Sequence, residues 1–259
     1  MARIAQESGA DRIFVDMEWL GKEKRQRGMD TVKSHHTLSD VRKLRRVVRQ
    51  AELLVRVNSI NPDSRIELEE TIRLGADVIM LPYFKSILEV EFFLETVNGR
   101  SKTCLLIETP QAVECVDEIL ALGGFDEIHI GLNDLCLGYG RRFMFELLAD
   151  GTVESLCRKF QEKGLFYGFG GIAQIGKGLI PAEKIIAEHY RLGSGMAILS
   201  RSFCNASQIQ DPGEMEEIFS RGIGEIRRYE RTLPERGPDW LEENHQTVCR
   251  LVKSIVEGI

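Results

Sequence analysis

The chain has 259 residues, 43% of them hydrophobic and 29% charged, a composition ordinary for a soluble globular protein with one large core. Its formal net charge is −6, so no basic surplus points to nucleic acid or to an anionic membrane as partner. No apolar stretch approaches the roughly 20 residues of a membrane span, and no charged N-terminal patch leads into an apolar run, so the expected location is cytoplasmic.

In chain order, MARIAQESGAD reads as a helix leading to the apolar run RIFVDM (12–17). A long segment, 18–38, follows; loops of that length in compact domains are often functional lids. Thr37 and Asp40 can start the helix DVRKLRRVVRQ. ELLVRVN (52–58) is the second run, and Ser64 with Glu67 reads as a capping box before IELEETIRL, which Gly75 ends. DVIMLPY (77–83) precedes a second capping box, Ser86 with Glu89, before ILEVEFFLETV and Gly99. TCLLIE (103–108) runs into Thr109-Pro110, an N-cap followed by proline at the first helical position. EIHIGL (127–132), LFYGFGGI (165–172) and GMAILS (195–200) complete the series.

Apolar β-rich runs alternating with helices predict a parallel sheet covered on both faces, and with this length a TIM-type (β/α) barrel. Seven strands are predicted where a complete barrel has eight, and the strand apparently missing is the first. The barrel is expected over residues 1–205. The amphipathic segments of 206–259 are expected as a helical extension of the same domain, packed on the barrel or on a partner subunit. In the first of them Ile218, Phe219, Ile223 and Ile226 form an apolar stripe. The cysteines Cys104, Cys115, Cys136, Cys157, Cys204 and Cys249 include no CxxC pair and read as free thiols.

Active sites of such barrels lie at the C-terminal ends of the strands. Polar residues predicted there are Asp16 and Glu18, Arg56 and Asn58, Glu108, Asn133 and Asp134, Gly170 and Gly171, Ser200 and Arg201. Glu108 and Asp134 each finish an apolar run, and a buried carboxylate there needs a cap, a pair or a metal ion. Carboxylate and water ligands suit Mg²⁺ or Mn²⁺. Arg56 suits a carboxylate or a developing oxyanion, or else a salt bridge to Glu18 or Glu108. His35 and His36 are candidate general bases, and His129, His189 and His245 read as structural. The glycines of GFGGIA (168–173) match a dinucleotide loop only in part, and Gly178 stands where a phosphate loop needs Ser or Thr. Gly170 and Gly171 are instead expected to let backbone approach a small ligand.

The segments IFVDMEW (13–19), LLVRVN (53–58), GADVIMLPYF (75–84), LLIETPQAV (105–113) and IGLNDLCLGYG (130–140) resemble the HpcH/HpaI aldolase and citrate lyase β-subunit family of phosphoenolpyruvate/pyruvate barrels. The resemblance spans about residues 13–140, and the order LLIET then IGLNDL is its most specific part. It implies a metal-dependent carbon–carbon lyase that acts on a 2-oxo acid such as pyruvate through a metal-stabilised enolate. It implies Glu108 and Asp134 as metal ligands and Arg56 as the contact to the C2 oxygen. Backbone near Gly75-Ala76-Asp77 and Leu81-Pro82 would line the substrate carboxylate, and Asp16 with Glu18 would organise the site. It also implies a homo-oligomer. Where the family usually has histidine after the equivalent of Glu18, this chain has Trp19, and Leu106 replaces a hydrophilic residue. The alternatives are a Schiff-base aldolase using Lys85 and a non-catalytic pyruvate or oxo-acid binder.

Overall fold

A computed structural model describes all residues except 23–35, 201–202, 205–208, 210 and 259. The chain divides into two compact units, Ala10–His129 and Ile130–Ile259, the latter joined by Arg3–Gly9. The seven predicted strands are all present, and each run of apolar residues is one of them.

The first unit carries β1 (Arg12–Asp16), β2 (Glu52–Arg56), β3 (Val78–Leu81), β4 (Lys102–Ile107) and β5 (Glu127–Ile130), in that spatial order. Parallel register sets Asp16 beside Arg56, Arg56 beside Met80 and Met80 beside Cys104. The polar strand ends therefore share one edge. The strand interiors are apolar because both faces are covered, one by helices and the other by side chains of the barrel interior: every residue of β3, VIML, is buried. Between the strands lie α2 (Leu38–Val47), α3 (Ser64–Arg73), α4 (Ile87–Val97), α5 (Pro110–Glu114) and α6 (Val116–Leu122).

Local chemistry explains most of these boundaries. Thr37 with Asp40, and Ser86 with Glu89, form the expected capping boxes. Thr109 caps α5 by accepting from the Ala112 N–H at 3.0 Å, with Pro110 at the first position. Ser64 and Glu67 depart from the expectation. Ser64 lies inside α3 and accepts from the Asn61 N–H at 2.8 Å, while the Glu67 carboxylate turns to Asn58. A tertiary partner outcompetes the local box.

The opposite edge of this sheet is also charged. Arg12 donates to Glu52 at 2.7 Å and to both oxygens of Glu127 at 2.5 and 2.6 Å, and Lys102 reaches Glu52 at 2.7 Å.

The second unit holds α1 (Ala2–Glu7, from Arg3 on), α7 (Leu132–Gly138), α8 (Glu146–Ala149), α9 (Thr152–Glu162), β6 (Phe166–Ile172), α10 (Ala182–Arg191), β7 (Met196–Leu199), α11 (Pro212–Glu230) and α12 (Pro238–Glu257). β6 and β7 pair in parallel, with an irregularity between Gly168 and Gly171. Met215, Phe219, Ile223 and Ile226 form the buried stripe of α11, so Met215 takes the place expected of Ile218. Helices α11 and α12 pack on α10 within this unit. All six cysteines are free thiols. Among the described residues no helix is long and apolar enough to cross a membrane.

Candidate active site

The C-terminal edge of β1 and β2 carries a buried cluster of four charges. Register places Asp16 opposite Arg56, and the guanidinium forks onto the carboxylate: Nε donates to Oδ1 and Nη2 to Oδ2, both at 2.9 Å. Lys22, one turn past Glu18, is buried as well and donates from Nζ to Asp16 Oδ2 at 2.7 Å. Glu18 is completely buried, with Oε2 at 3.4 Å from Arg56 Nη2 and 3.5 Å from Lys22 Nζ. Two cations and two anions offset one another, which is the condition for burying any of them. Burial pushes the Asp16 carboxyl up, but the bonds to Arg56 and Lys22 outweigh it and hold Asp16 below the usual carboxylate range. Burial likewise opposes the Arg56 charge, and Asp16, Glu108 and Glu18 together raise its pKa.

Of this cluster the sequence suggests Asp16, Glu18 and Arg56 and misses Lys22. The signal for Lys22 is its spacing of four from Glu18, readable only if residues 18–22 form a turn. Arg56 was open between a substrate and a salt bridge to Glu18 or Glu108; its main bond goes to Asp16.

The turn after β1 is held from the second strand. Asn58 Oδ1 accepts from the Trp19 N–H at 3.0 Å and the Leu20 N–H at 3.1 Å, and Asn58 Nδ2 donates to Glu67 at 2.8 Å. Burial raises the Glu67 pKa, and the bonds from Asn58 only partly counter it. Trp19 itself is 61% exposed. It lines a cleft of about 390 Å³ with Met17, His36, Thr37, Asn58 and Glu67. His36 thus stands beside this edge, whereas His35 lies outside the described residues.

Glu108 is buried one residue past β4. Its Oε1 accepts from the Tyr83 N–H at 3.0 Å. Tyr83 has φ +50°, uncommon for a residue with a side chain, and this left-handed step accompanies the bond to Glu108. Thr109 ties the same two strand ends, donating from Oγ1 to the Phe84 carbonyl at 2.7 Å. Leu81 and Pro82 are buried at this edge.

Gly75, Ala76 and Asp77 are not brought there. They precede β3, at its N-terminal end, roughly 17–23 Å from Pro82 at about 3.3 Å per strand residue. Asp77 is engaged there, accepting from Arg45 at 2.6 Å and from the Leu53 N–H at 2.7 Å. These residues brace β2, β3 and α2 and cannot line a substrate at the other edge. Lys85 is exposed, its ammonium 5.1 Å from the centre of the Tyr83 ring. It lacks the desolvation that activates a Schiff-base lysine.

In the second unit Asp134 is buried in the first turn of α7. Gly170 and Gly171 lie in β6. Gly170 has φ +50°, and a Cβ there would meet Leu132 Cδ1 at 2.6 Å; one at Gly171 would meet the Ile198 carbonyl at 3.1 Å. Close packing within the unit therefore requires glycine at Gly170 and leaves little room for a side chain at Gly171. His129 is buried in β5, and His189 stacks on Phe169 with ring centres 3.8 Å apart; both are structural, as expected.

The family profile of the HpcH/HpaI aldolase/citrate lyase group matches residues 1–144, more than half of the chain. The chain belongs to that family. Its members include aldolases and lyases, and they are generally dependent on a divalent metal ion. No curated protein matches the sequence significantly. Among solved structures, an HpcH/HpaI aldolase/citrate lyase family protein from Burkholderia cenocepacia J2315 is 14% identical with TM-score 0.63, covering 87% of this chain and 89% of that one. The HpcH/HpaI aldolase of Desulfitobacterium hafniense DCB-2 is 19% identical with TM-score 0.56, covering 87% of each chain. Citrate synthase SbnG is 18% identical with TM-score 0.59, covering 88% of each. At these identities the likeness speaks for the fold, a TIM-type (β/α) barrel of which this chain supplies seven strands among its described residues.

Among the described residues no three His, Cys, Asp or Glu side chains form a metal cage. Mg²⁺ needs none: one or two carboxylates, with water and substrate, suffice. Glu108 and Asp134 are buried carboxylates of that kind, and their chemistry fits the ion.

Proposed function

We propose that this protein is a metal-dependent carbon–carbon lyase acting on a 2-oxo acid, with Glu108 and Asp134 as the carboxylates that hold Mg²⁺ or Mn²⁺. The observation that carries the reading is Glu108. It is a buried acid just past a strand end, fixed by the Tyr83 N–H and within the field of Arg56. Asp134 enters through the motif IGLNDL and family membership. When bound, the ion would polarise the C2 carbonyl of the oxo acid as a Lewis acid.

The chain's own groups do the rest. Arg56, kept charged by Asp16 and Glu18, supplies fixed positive potential for the oxygen that becomes anionic on cleavage. Because its fork is already anchored, little reorganisation accompanies that change. His36, which lines the cleft beside Trp19, would be the general base that takes the proton of the substrate hydroxyl, directly or through water. Glu18 holds Arg56 and Lys22 in place.

Calorimetric titration of pyruvate or oxalate tests the reading, with Mg²⁺ or Mn²⁺ and then with chelator. Wild type should bind only with metal, and Glu108→Ala and Asp134→Ala should lose metal and ligand together. Binding that survives both the chelator and Glu108→Ala would overturn the assignment. Binding without cleavage across a panel of oxo acids would leave an oxo-acid binder.

A further inference from the structure

The second unit contains a thiol, an imidazole and a carboxylate in a line. Cys249 and His245 lie one turn apart on α12, with Cys249 Sγ 3.5 Å from His245 Nε2. His245 Nδ1 is 2.9 Å from Glu188 Oε2, on α10. Glu188 is completely buried and fixed from several sides: Asn244 Nδ2 donates to Oε1 at 3.0 Å, and Arg191 donates to Oε2 from Nη2 at 2.9 Å. With the proton on Nδ1 directed at Glu188, Nε2 is left to accept from the Cys249 thiol. Cys249 also lines a surface cavity of about 270 Å³, with Arg141, Asp150 and Lys253 around it. The thiol therefore has both a base and an approach.

We propose that Cys249, His245 and Glu188 form a proton relay that makes Cys249 a modification site for small disulfides. Attack by the Cys249 sulfur on one sulfur of the disulfide forms a mixed disulfide. The old S–S bond breaks, and the second sulfur leaves with the electron pair. The Cys249 proton passes to His245 Nε2 and then to solvent or to the leaving thiolate. Glu188 stabilises the imidazolium formed in between.

The other thiols lack this arrangement among the described contacts. Cys104, Cys136 and Cys157 are buried, and burial pushes the Cys157 thiol up to about 12. Cys115 is half-buried, with its Sγ on the Ala112 carbonyl, and Cys204 is half-buried. The Cys249 thiol is itself pushed up, first by burial and then by Glu188 and Glu242, with Arg191 opposing. A standing thiolate is thus disfavoured, and reactivity has to come through His245 at the moment of attack. The charged groups facing the thiol are Glu188 and Arg191 from α10, Glu242 and Lys253 from α12, and Arg141, Glu146 and Asp150 from the α8 region.

The second tautomer is the competing arrangement. Arg191 Nη2 lies 3.1 Å from His245 Nδ1, and if it donates there, Nε2 carries the proton and Cys249 gains no base.

The probe is 5,5′-dithiobis(2-nitrobenzoate), applied to the full native chain, with release of the aromatic thiol followed in time. One thiol should react at least about ten-fold faster than the rest, and peptide mapping of the first-labelled wild type should find it at Cys249. Cys249→Ser should remove that phase, and His245→Gln should slow it about ten-fold with an unchanged far-ultraviolet spectrum. First labelling at Cys115 or Cys204, or an unaltered rate in folded His245→Gln, would overturn the proposal. Should His245→Gln unfold, the wild-type mapping still decides.

Discussion

Replacing Asp16 by Asn tests the four-charge cluster most directly. Asp16 accepts three charged hydrogen bonds, two from Arg56 at 2.9 Å and one from Lys22 at 2.7 Å. Removing one partner from a buried charge network costs about 3–5 kcal/mol, since the remaining cations stay desolvated. Asn keeps one acceptor oxygen, so the lower end, about 3 kcal/mol, applies at neutral pH. At about 2–4 °C per kcal/mol for a chain of this size, the melting midpoint should fall by roughly 6–12 °C. The pH dependence follows from the depressed Asp16 pKa. Its stabilisation is complete above the unfolded carboxylate value of about 3.9 and is lost as pH falls through the lower folded value. Wild type and Asp16→Asn should therefore converge in strong acid. Thermal melts of both proteins across pH would show it. A midpoint difference below about 1 °C at neutral pH, or one that does not shrink in acid, would refute the idea that Asp16 holds the cluster together.

Glu67→Gln should behave in the opposite sense. The folded Glu67 pKa is raised, so its ionisation penalises the fold as pH rises above the unfolded value of about 4.3; relief of that penalty outweighs the weakened Asn58 bonds, and the variant should be no less stable than wild type at neutral pH, as denaturant midpoints would reveal. Gly168→Ala puts a Cβ 2.0 Å from the Met196 carbonyl in the paired strand, backbone against backbone, and should cost at least about 3 kcal/mol in the same assay; a silent substitution would mean β6 and β7 do not pair as described. Arg56→Lys keeps the charge but loses the fork, and under the proposed chemistry kcat should drop at least about ten-fold; a near-wild-type rate would remove Arg56 from the reaction.

All seven strands were legible because each is an apolar run bounded by turn or capping residues, and in β3 and β5 burial on both faces leaves no alternation to confuse. Thr37, Ser86 and Thr109 were legible as caps because their partners are three residues away. Glu67 was misread for the converse reason: its partner, Asn58, comes from the preceding strand end. Gly75-Ala76-Asp77 was assigned to the wrong end of β3, since a motif marks proximity in sequence but not the direction in which a strand carries it. The clustering of Asp16, Glu18 and Arg56 was suggested by strand ends, but the buried Lys22 needed coordinates. Gly170 and Gly171 read as room for a ligand, and the sequence carried no sign that Leu132 and Ile198 pack against them.

The bond from Arg12 to Glu127 bears on how the chain acquires its order in time. It joins residues 115 positions apart, from the first strand to the fifth. Parallel strands have no tight hairpin to index them, and every closure between them encloses a long loop. Arg12 and Glu127 meet only after the whole stretch between them exists, so this clasp cannot help the early strands find one another. It can act as a final check instead. A one-residue slip of β1 would turn Arg12 to the other face of the sheet, away from both Glu52 and Glu127. On a ribosome, the first strand would wait for more than a hundred further residues before its alignment was proofread.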